Sequence, residues 1–307
     1  MRKLISLALA LVMILSLSTV AFAEEVTYAN SDATTFNTIV KTYNSENSVQ
    51  VSETLSFTST PDTDNPDMTN LTVNALTVSN GLNNLPITVN IPSYSQAGVY
   101  EYTIQETAGN VAGVTYTDSV IRVVVMIEYN QVAKKLVIGN VASYILNTGT
   151  TENPVKTDKF ENTFKSGSFS VAKEVTGNMA NRNDEFEITV TLTKPANKVI
   201  GTPITVGGQT VAADKWVNGV YTTTLTLSHA DGPTTFSNIP VGVTVTVVEN
   251  AAPEKMNGYT QKSIKNGAAD FNTLTIEDET NAAIVVTNEK TTEVNTGISM
   301  DSVPYVL

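Results

Sequence analysis

Along most of the chain, apolar residues alternate with Thr, Ser or charged residues, as in Val220–Leu227 (VYTTTLTL) and Val243–Val248 (VTVTVV). A period of two puts successive side chains on opposite faces of an extended strand, so these runs predict half-buried β-strands. Val and Thr dominate them, as suits a pleated surface with one face covered. Gly, Asn, Asp and Pro interrupt them at short intervals. The pattern predicts an all-β protein of the sandwich type rather than an α/β or helical one.

The first residues break this pattern. Arg2 and Lys3 precede an apolar run from Leu4 to Leu15, and Ala21-Phe22-Ala23 then offers a small-residue cleavage site before Glu24. A charged start, a short apolar stretch and an A-x-A site make a secretory signal peptide over residues 1–23, cut between Ala23 and Glu24. The run is short of the ~20 apolar residues that span a bilayer. Without this leader the chain has 16 basic and 30 acidic residues, a net charge of −14. Its few Lys and Arg are scattered, which excludes the clustered basic surface that nucleic acid requires.

Cysteine is absent, so an exported protein of this kind has no disulfide to staple it. Domains of ~130 residues can bury enough apolar surface unaided. The missing cysteines therefore permit another cross-link without requiring one.

An internal repeat divides the mature chain. In the first half a strand ends in Ile39-Val40-Lys41 and the next begins at Leu55-Ser56-Phe57; in the second, Val171-Ala172-Lys173 ends a strand in the same way and Phe186-Glu187-Ile188 follows. Further on, Gly98 precedes a strand that runs into Glu106, and Gly242 precedes one that ends in Glu249. A turn with a tyrosine follows each, Gly113-Val114-Thr115-Tyr116 and Gly258-Tyr259-Thr260. Each half closes on an apolar strand with an asparagine, Phe160-Glu161-Asn162-Thr163-Phe164 and Ile284-Val285-Val286-Thr287-Asn288. Two sandwiches are expected, at 24–165 and 166–290, with Lys165-Ser166-Gly167 as a polar, flexible joint.

Lys, Glu and Asn thus recur in the same order in both halves. A lysine on an inward strand face is costly to bury as a cation, so burial favours its neutral, nucleophilic amine. An asparagine held beside it offers a carboxamide carbon, and fixed geometry gives effective molarities of ~10⁵ M or more. A carboxyl group in an apolar site favours its acid form and can carry protons from the amine to departing ammonia. The product, a neutral amide, removes a buried charge.

This triplet, the strand-Gly-Tyr-strand-Glu pattern and the F-x-N-x-F ending resemble the isopeptide-linked domains of Gram-positive pilins, which are related to the B-type repeats of collagen adhesins. The resemblance covers nearly all of residues 30–290. It implies two tandem immunoglobulin-like (Cna B-type) β-sandwich domains, a Lys41–Asn162 bond assisted by Glu106, and a Lys173–Asn288 bond assisted by Glu249. It also implies a cell-surface pilus subunit that needs no cofactor or metal.

Residues 291–307 add a second signal. Glu293-Val294-Asn295-Thr296-Gly297 is similar to a sortase sorting signal, with Asn295 where such signals usually have proline. The resemblance implies cleavage between Thr296 and Gly297 and transfer to a lysine late in the N-terminal domain of the next subunit, with Lys156 as first choice and Lys159 as second. The implied partners are sortase, other copies of the chain, minor pilins and cell-wall peptidoglycan. The expectation for the apolar stretch at Val303–Leu307 is a membrane anchor cut short.

Other features carry less. Asp62–Asp67 is rich in carboxylates but lacks the Gly and terminal Glu of a calcium loop. His229 is the only histidine and Trp216 the only tryptophan; the tryptophan belongs either in the core or on a loop. A singly anchored or tip adhesin is the alternative to a shaft subunit. A glycosidase using Glu106 and Glu249 is disfavoured, because equivalent residues of separate domains cannot come within the ~5–10 Å that such pairs need.

Overall fold

The computed structural model describes residues 28–45, 50–79, 84–145, 149–150, 153–154 and 158–292. The leader, Lys156 and the sorting signal lie outside these residues.

Two β-sandwiches follow one another. In the first, a five-stranded sheet has the order Lys135–Ile145, Val120–Asn130, Gly98–Thr107, Glu53–Pro61, Leu76–Val78. Facing it is a four-stranded sheet of Leu85–Pro86, Val40–Ser45, Lys159–Phe164 and Val114–Thr115. Three short strands, Thr34–Phe36, Val89–Ile91 and Thr72–Val73, form a further sheet that the alternation alone does not reveal.

In the second sandwich a seven-stranded sheet holds Ser166–Thr176 between Thr234–Pro240 and Asn281–Glu289. The opposing sheet has Val220–Leu227, Phe186–Thr193, Thr244–Glu249 and Leu274–Thr275.

The alternation works as expected. Ile121, Val123, Val125 and Ile127 turn inward from one strand of the first sandwich, while Ile188, Val190 and Leu192 do so in the second, all of them fully buried. Each such side chain contributes roughly 1.5–3 kcal/mol by leaving water. On the outer face of the second sandwich Thr189 and Thr191 lie opposite Thr224 and Thr222. Trp216 belongs to the core of the second sandwich, which decides between its two expected environments.

Two expectations need correction. The strand with Lys41 starts at Val40 and runs to Ser45, rather than ending at the lysine. The joint between the halves is also not a flexible tripeptide. Ser166 and Gly167 are already in strand, paired with Pro240 and Ile239, which leaves Lys165 as the single linking residue. A Cβ on Gly167 would lie 2.8 Å from Thr280 Cβ, so the glycine serves close packing and not mobility. The halves are further pinned by Ser52 N–H donating to Gly201 O at 2.8 Å and Ala112 N–H donating to Val199 O at 2.8 Å. Lys165 adds an ion pair with Asp278.

Candidate functional site

Each sandwich builds the same cluster from three strands. In the first, the lysine strand Val40–Ser45 runs parallel to the asparagine strand Lys159–Phe164, with Lys41 opposite Phe160 and Tyr43 opposite Asn162. In the second, Ser166–Thr176 runs parallel to Asn281–Glu289, with Lys173 opposite Val286 and Val175 opposite Asn288. In both, the asparagine is two residues past the lysine's partner. A step of two keeps both side chains on one face of the sheet, as diagonal neighbours within reach of a long side chain.

The glutamate arrives from the facing sheet. Glu106 lies near the end of Gly98–Thr107 and Glu249 ends Thr244–Glu249. Lys41 Nζ is 2.7 Å from Glu106 Oε2, and Asn162 Nδ2 donates to Glu106 Oε1 at 2.6 Å. In the second cluster Lys173 Nζ is 2.9 Å from Glu249 Oε1, and Asn288 Nδ2 donates to the same oxygen at 2.8 Å. The side chains of Lys41, Glu106, Lys173 and Glu249 are 0% exposed, and Asn162 and Asn288 are equally sealed.

That burial decides the chemistry. Loss of hydration holds the amines of Lys41 and Lys173 below the usual lysine value, although hydrogen bonds and charge from Glu106 and Glu249 pull the other way. Aromatic rings close the space around each amine: Nζ lies 5.0 Å from the ring centre of Tyr43 in the first cluster and 4.4 Å from that of Phe186 in the second. A dry site with a nucleophile, a carboxamide and a carboxyl group that touches both can condense the first two with loss of ammonia.

Several contributors are not evident from the sequence. Tyr43 donates to Glu53 Oε1, and Tyr116 donates to Glu53 Oε2 at 2.7 Å. Burial pushes the Tyr43 phenol up, and the Glu53 contact adds to it. Tyr116 also accepts from Val111 N–H at 3.0 Å. Tyr259 repeats this role in the second sandwich, accepting from Asn181 N–H at 2.7 Å and donating to Asp184 at 3.1 Å. Each tyrosine turn found in the repeat is thus tied to a carboxylate at or just before the second long strand. Glu53 had no signal of its own, because a lone Glu at a strand start looks like any exposed one.

Among the remaining candidates, Lys159 starts the asparagine strand and is exposed. Lys156, Thr296, Gly297, Ala23 and Glu24 lie outside the described residues. Asp62 Oδ1 accepts from Asp64 N–H and Asp67 Oδ1 from Thr69 N–H, so these carboxylates shape their own turn. His229 Nδ1 accepts from Val175 N–H at 3.0 Å. Glu106 and Glu249 sit in different sandwiches, each against its own lysine, which is not the layout of a glycosidase pair.

Comparison with known proteins agrees with this architecture. Residues 23–165 match the family FctA, described as a Spy0128-like isopeptide containing domain, and residues 167–290 match a domain of unknown function, DUF7601. A curated pilin of Streptococcus pyogenes serotype M1 is 29% identical over 230 residues, covering 70% of this chain. The aligned part spans 64% of that pilin's length. The crystal structure of the major pilin from Streptococcus pyogenes superposes with a TM-score of 0.54 at 22% identity, covering 86% of this chain and 100% of that one. The T-13 major pilin of the same organism gives 0.52 at 24% identity, covering 85% and 99%. These structures share the fold of two tandem sandwiches. With residues 23–165 matching the Spy0128-like isopeptide-domain family and a streptococcal pilin as a curated relative, the chain is similar to the Gram-positive major pilins.

Proposed function

We propose that the chain is a structural subunit of a sortase-assembled pilus on a Gram-positive surface, joined head to tail and stapled by Lys41–Asn162 and Lys173–Asn288 amide bonds. One observation carries this reading: the same sealed Lys–Glu–Asn cluster occurs twice, in the same strand register. A solvated lysine or a turn-forming asparagine has no reason to recur in this way. The chain acts once on itself and turns over no substrate.

The proposed domains are 24–165 and 166–290, and the family matches ending at 165 and starting at 167 support that division. Export through the leader ending at Ala23, cleavage at Thr296–Gly297 and attack by Lys156, or failing it Lys159, complete the scheme. Its partners are sortase, further copies of the chain, minor pilins and peptidoglycan. Tension that enters at Lys156 and leaves at Thr296 crosses the second sandwich along one covalent bond, from the lysine strand Ser166–Thr176 to the asparagine strand Asn281–Glu289.

The test is the intact mass of the purified mature protein, expected to be lower by two ammonia molecules. Lys41→Ala and Lys173→Ala should each restore one, and so should Glu106→Ala and Glu249→Ala. An unshifted mass in the folded wild type overturns the reading.

A further inference from the structure

The two clusters differ at the asparagine carbonyl oxygen. Asn162 Oδ1 accepts the backbone N–H of Thr117 at 2.9 Å, whereas Asn288 Oδ1 has no hydrogen-bond partner among the described residues. The cause lies in the strand beside each asparagine strand. In the C-terminal sandwich Thr260–Asn266 follows the asparagine strand from Glu289 to Ile284, apart from a bulge between Gln261 and Ser263. In the N-terminal sandwich the equivalent strand is only Val114–Thr115, paired with Phe164 and Thr163. The chain then leaves the ladder in a turn in which Thr117 Oγ1 donates to Ser119 Oγ at 2.9 Å. Thr117 N–H is thereby free of any ladder partner and points at the asparagine side chain.

This contact also settles the orientation of the amide. A backbone N–H can only donate, so the atom facing Thr117 is the carbonyl oxygen and Nδ2 faces Glu106. The two oxygens of Glu106 then divide the work, Oε2 on the nucleophile and Oε1 on the leaving group. In the other cluster Oε1 of Glu249 meets both groups.

Resting on the isopeptide reading above, we propose that the Thr117 backbone N–H is the oxyanion donor for closure of the Lys41–Asn162 bond, a catalytic group with no counterpart in the C-terminal sandwich. The neutral Lys41 amine attacks Cγ of Asn162, and the carbonyl electron pair moves to Oδ1, where Thr117 N–H stabilises it. Glu106 gives its proton to Nδ2 and takes one from Nζ. Collapse of the oxyanion re-forms the carbonyl, breaks the Cγ–Nδ2 bond and expels ammonia, with Glu106 again in its acid form. The N–H lies 2.9 Å from the ground-state amide oxygen on which the charge develops, and loss of one oxyanion donor typically slows the chemistry by about 10²–10³.

The experiment is time-resolved, cell-free synthesis of the full chain, quenched in denaturant and digested, with the branched peptides carrying Lys41–Asn162 and Lys173–Asn288 followed by mass spectrometry. Thr117→Pro, and replacement of Thr117 by its α-hydroxy analogue to give a backbone ester, each remove the N–H. Both should slow the first peptide by about 10²–10³ and leave the second at its wild-type rate. The ester changes one backbone atom and keeps every side chain, so it decides the matter if the proline chain does not fold. First-peptide formation at the wild-type rate in the ester protein overturns the proposal. Absence of both peptides from the wild type would instead overturn the isopeptide reading on which it rests.

Discussion

Lys41 lies across a parallel ladder from Phe160, one diagonal step from Asn162, and Lys173 stands in the same relation to Asn288. Parallel neighbours in one sheet come from segments far apart in sequence, so each proposed bond closes a loop of more than ~100 residues. The structural effects of such a bond should therefore be large.

Glu249→Gln keeps the shape of the side chain but removes the proton carrier. The variant should fold without the second cross-link and lose about 4–5 kcal/mol, as expected for an opened loop of this length. Denaturant titration beside the wild type measures the difference, and equal midpoints would contradict it.

Asn162→Ala leaves Lys41 as a buried free amine beside Glu106. Its folded pKa lies below the ordinary 10.5, chiefly through loss of hydration, so the unfolded chain binds the proton more tightly. Stability of this variant should rise with pH up to the unfolded lysine value and fall as pH drops through the lowered folded one. Urea midpoints across alkaline pH report this. The cross-linked wild type has an amide at that position and should lack this contribution.

Tyr116→Phe strips a donor from Glu53 and an acceptor from Val111 N–H. Leaving such groups unpaired costs about 1–3 kcal/mol, so thermal unfolding should shift down while the ammonia losses persist. Tyr259→Phe should do the same in the second sandwich, through Asp184 and Asn181.

Lys156→Ala should abolish high-molecular-weight ladders in boiled cell-wall extracts while leaving the ammonia losses intact. Lys173→Ala should reduce protease resistance and largely spare the ladder. Full ladders in the Lys156/Lys159 double variant would rule out both lysines as acceptors.

The clusters were legible because three residue types recur in one order, and each type has a chemical reason to be buried with the others. The Lys159–Phe164 strand was readable from its apolar positions, whereas the Lys41 strand was expected to end at the lysine and instead continues from Val40 to Ser45. Thr117 could not be found this way, since its contribution is a backbone N–H, which every residue but proline carries. Glu53 escaped notice because its partners, Tyr43 and Tyr116, are 10 and 63 residues away. The stiffness of the joint was misread for a similar reason: Gly167 looks permissive in sequence, while Thr280 and Glu277 crowd it in space.

The one-residue joint at Lys165 has a consequence for the whole filament. With both bonds made, a pull that enters at the proposed acceptor Lys156 and leaves at Thr296 passes along the chain to Lys173 and from there across to Asn288. Residues 174–287 are bypassed, and the stretch from Lys159 to Lys173 is already extended strand apart from Lys165. An elastic tether absorbs a tug by giving up slack, and this stretch has almost none to give. Such a subunit would behave as a cable rather than a spring, delivering a sudden load to its anchor nearly undamped.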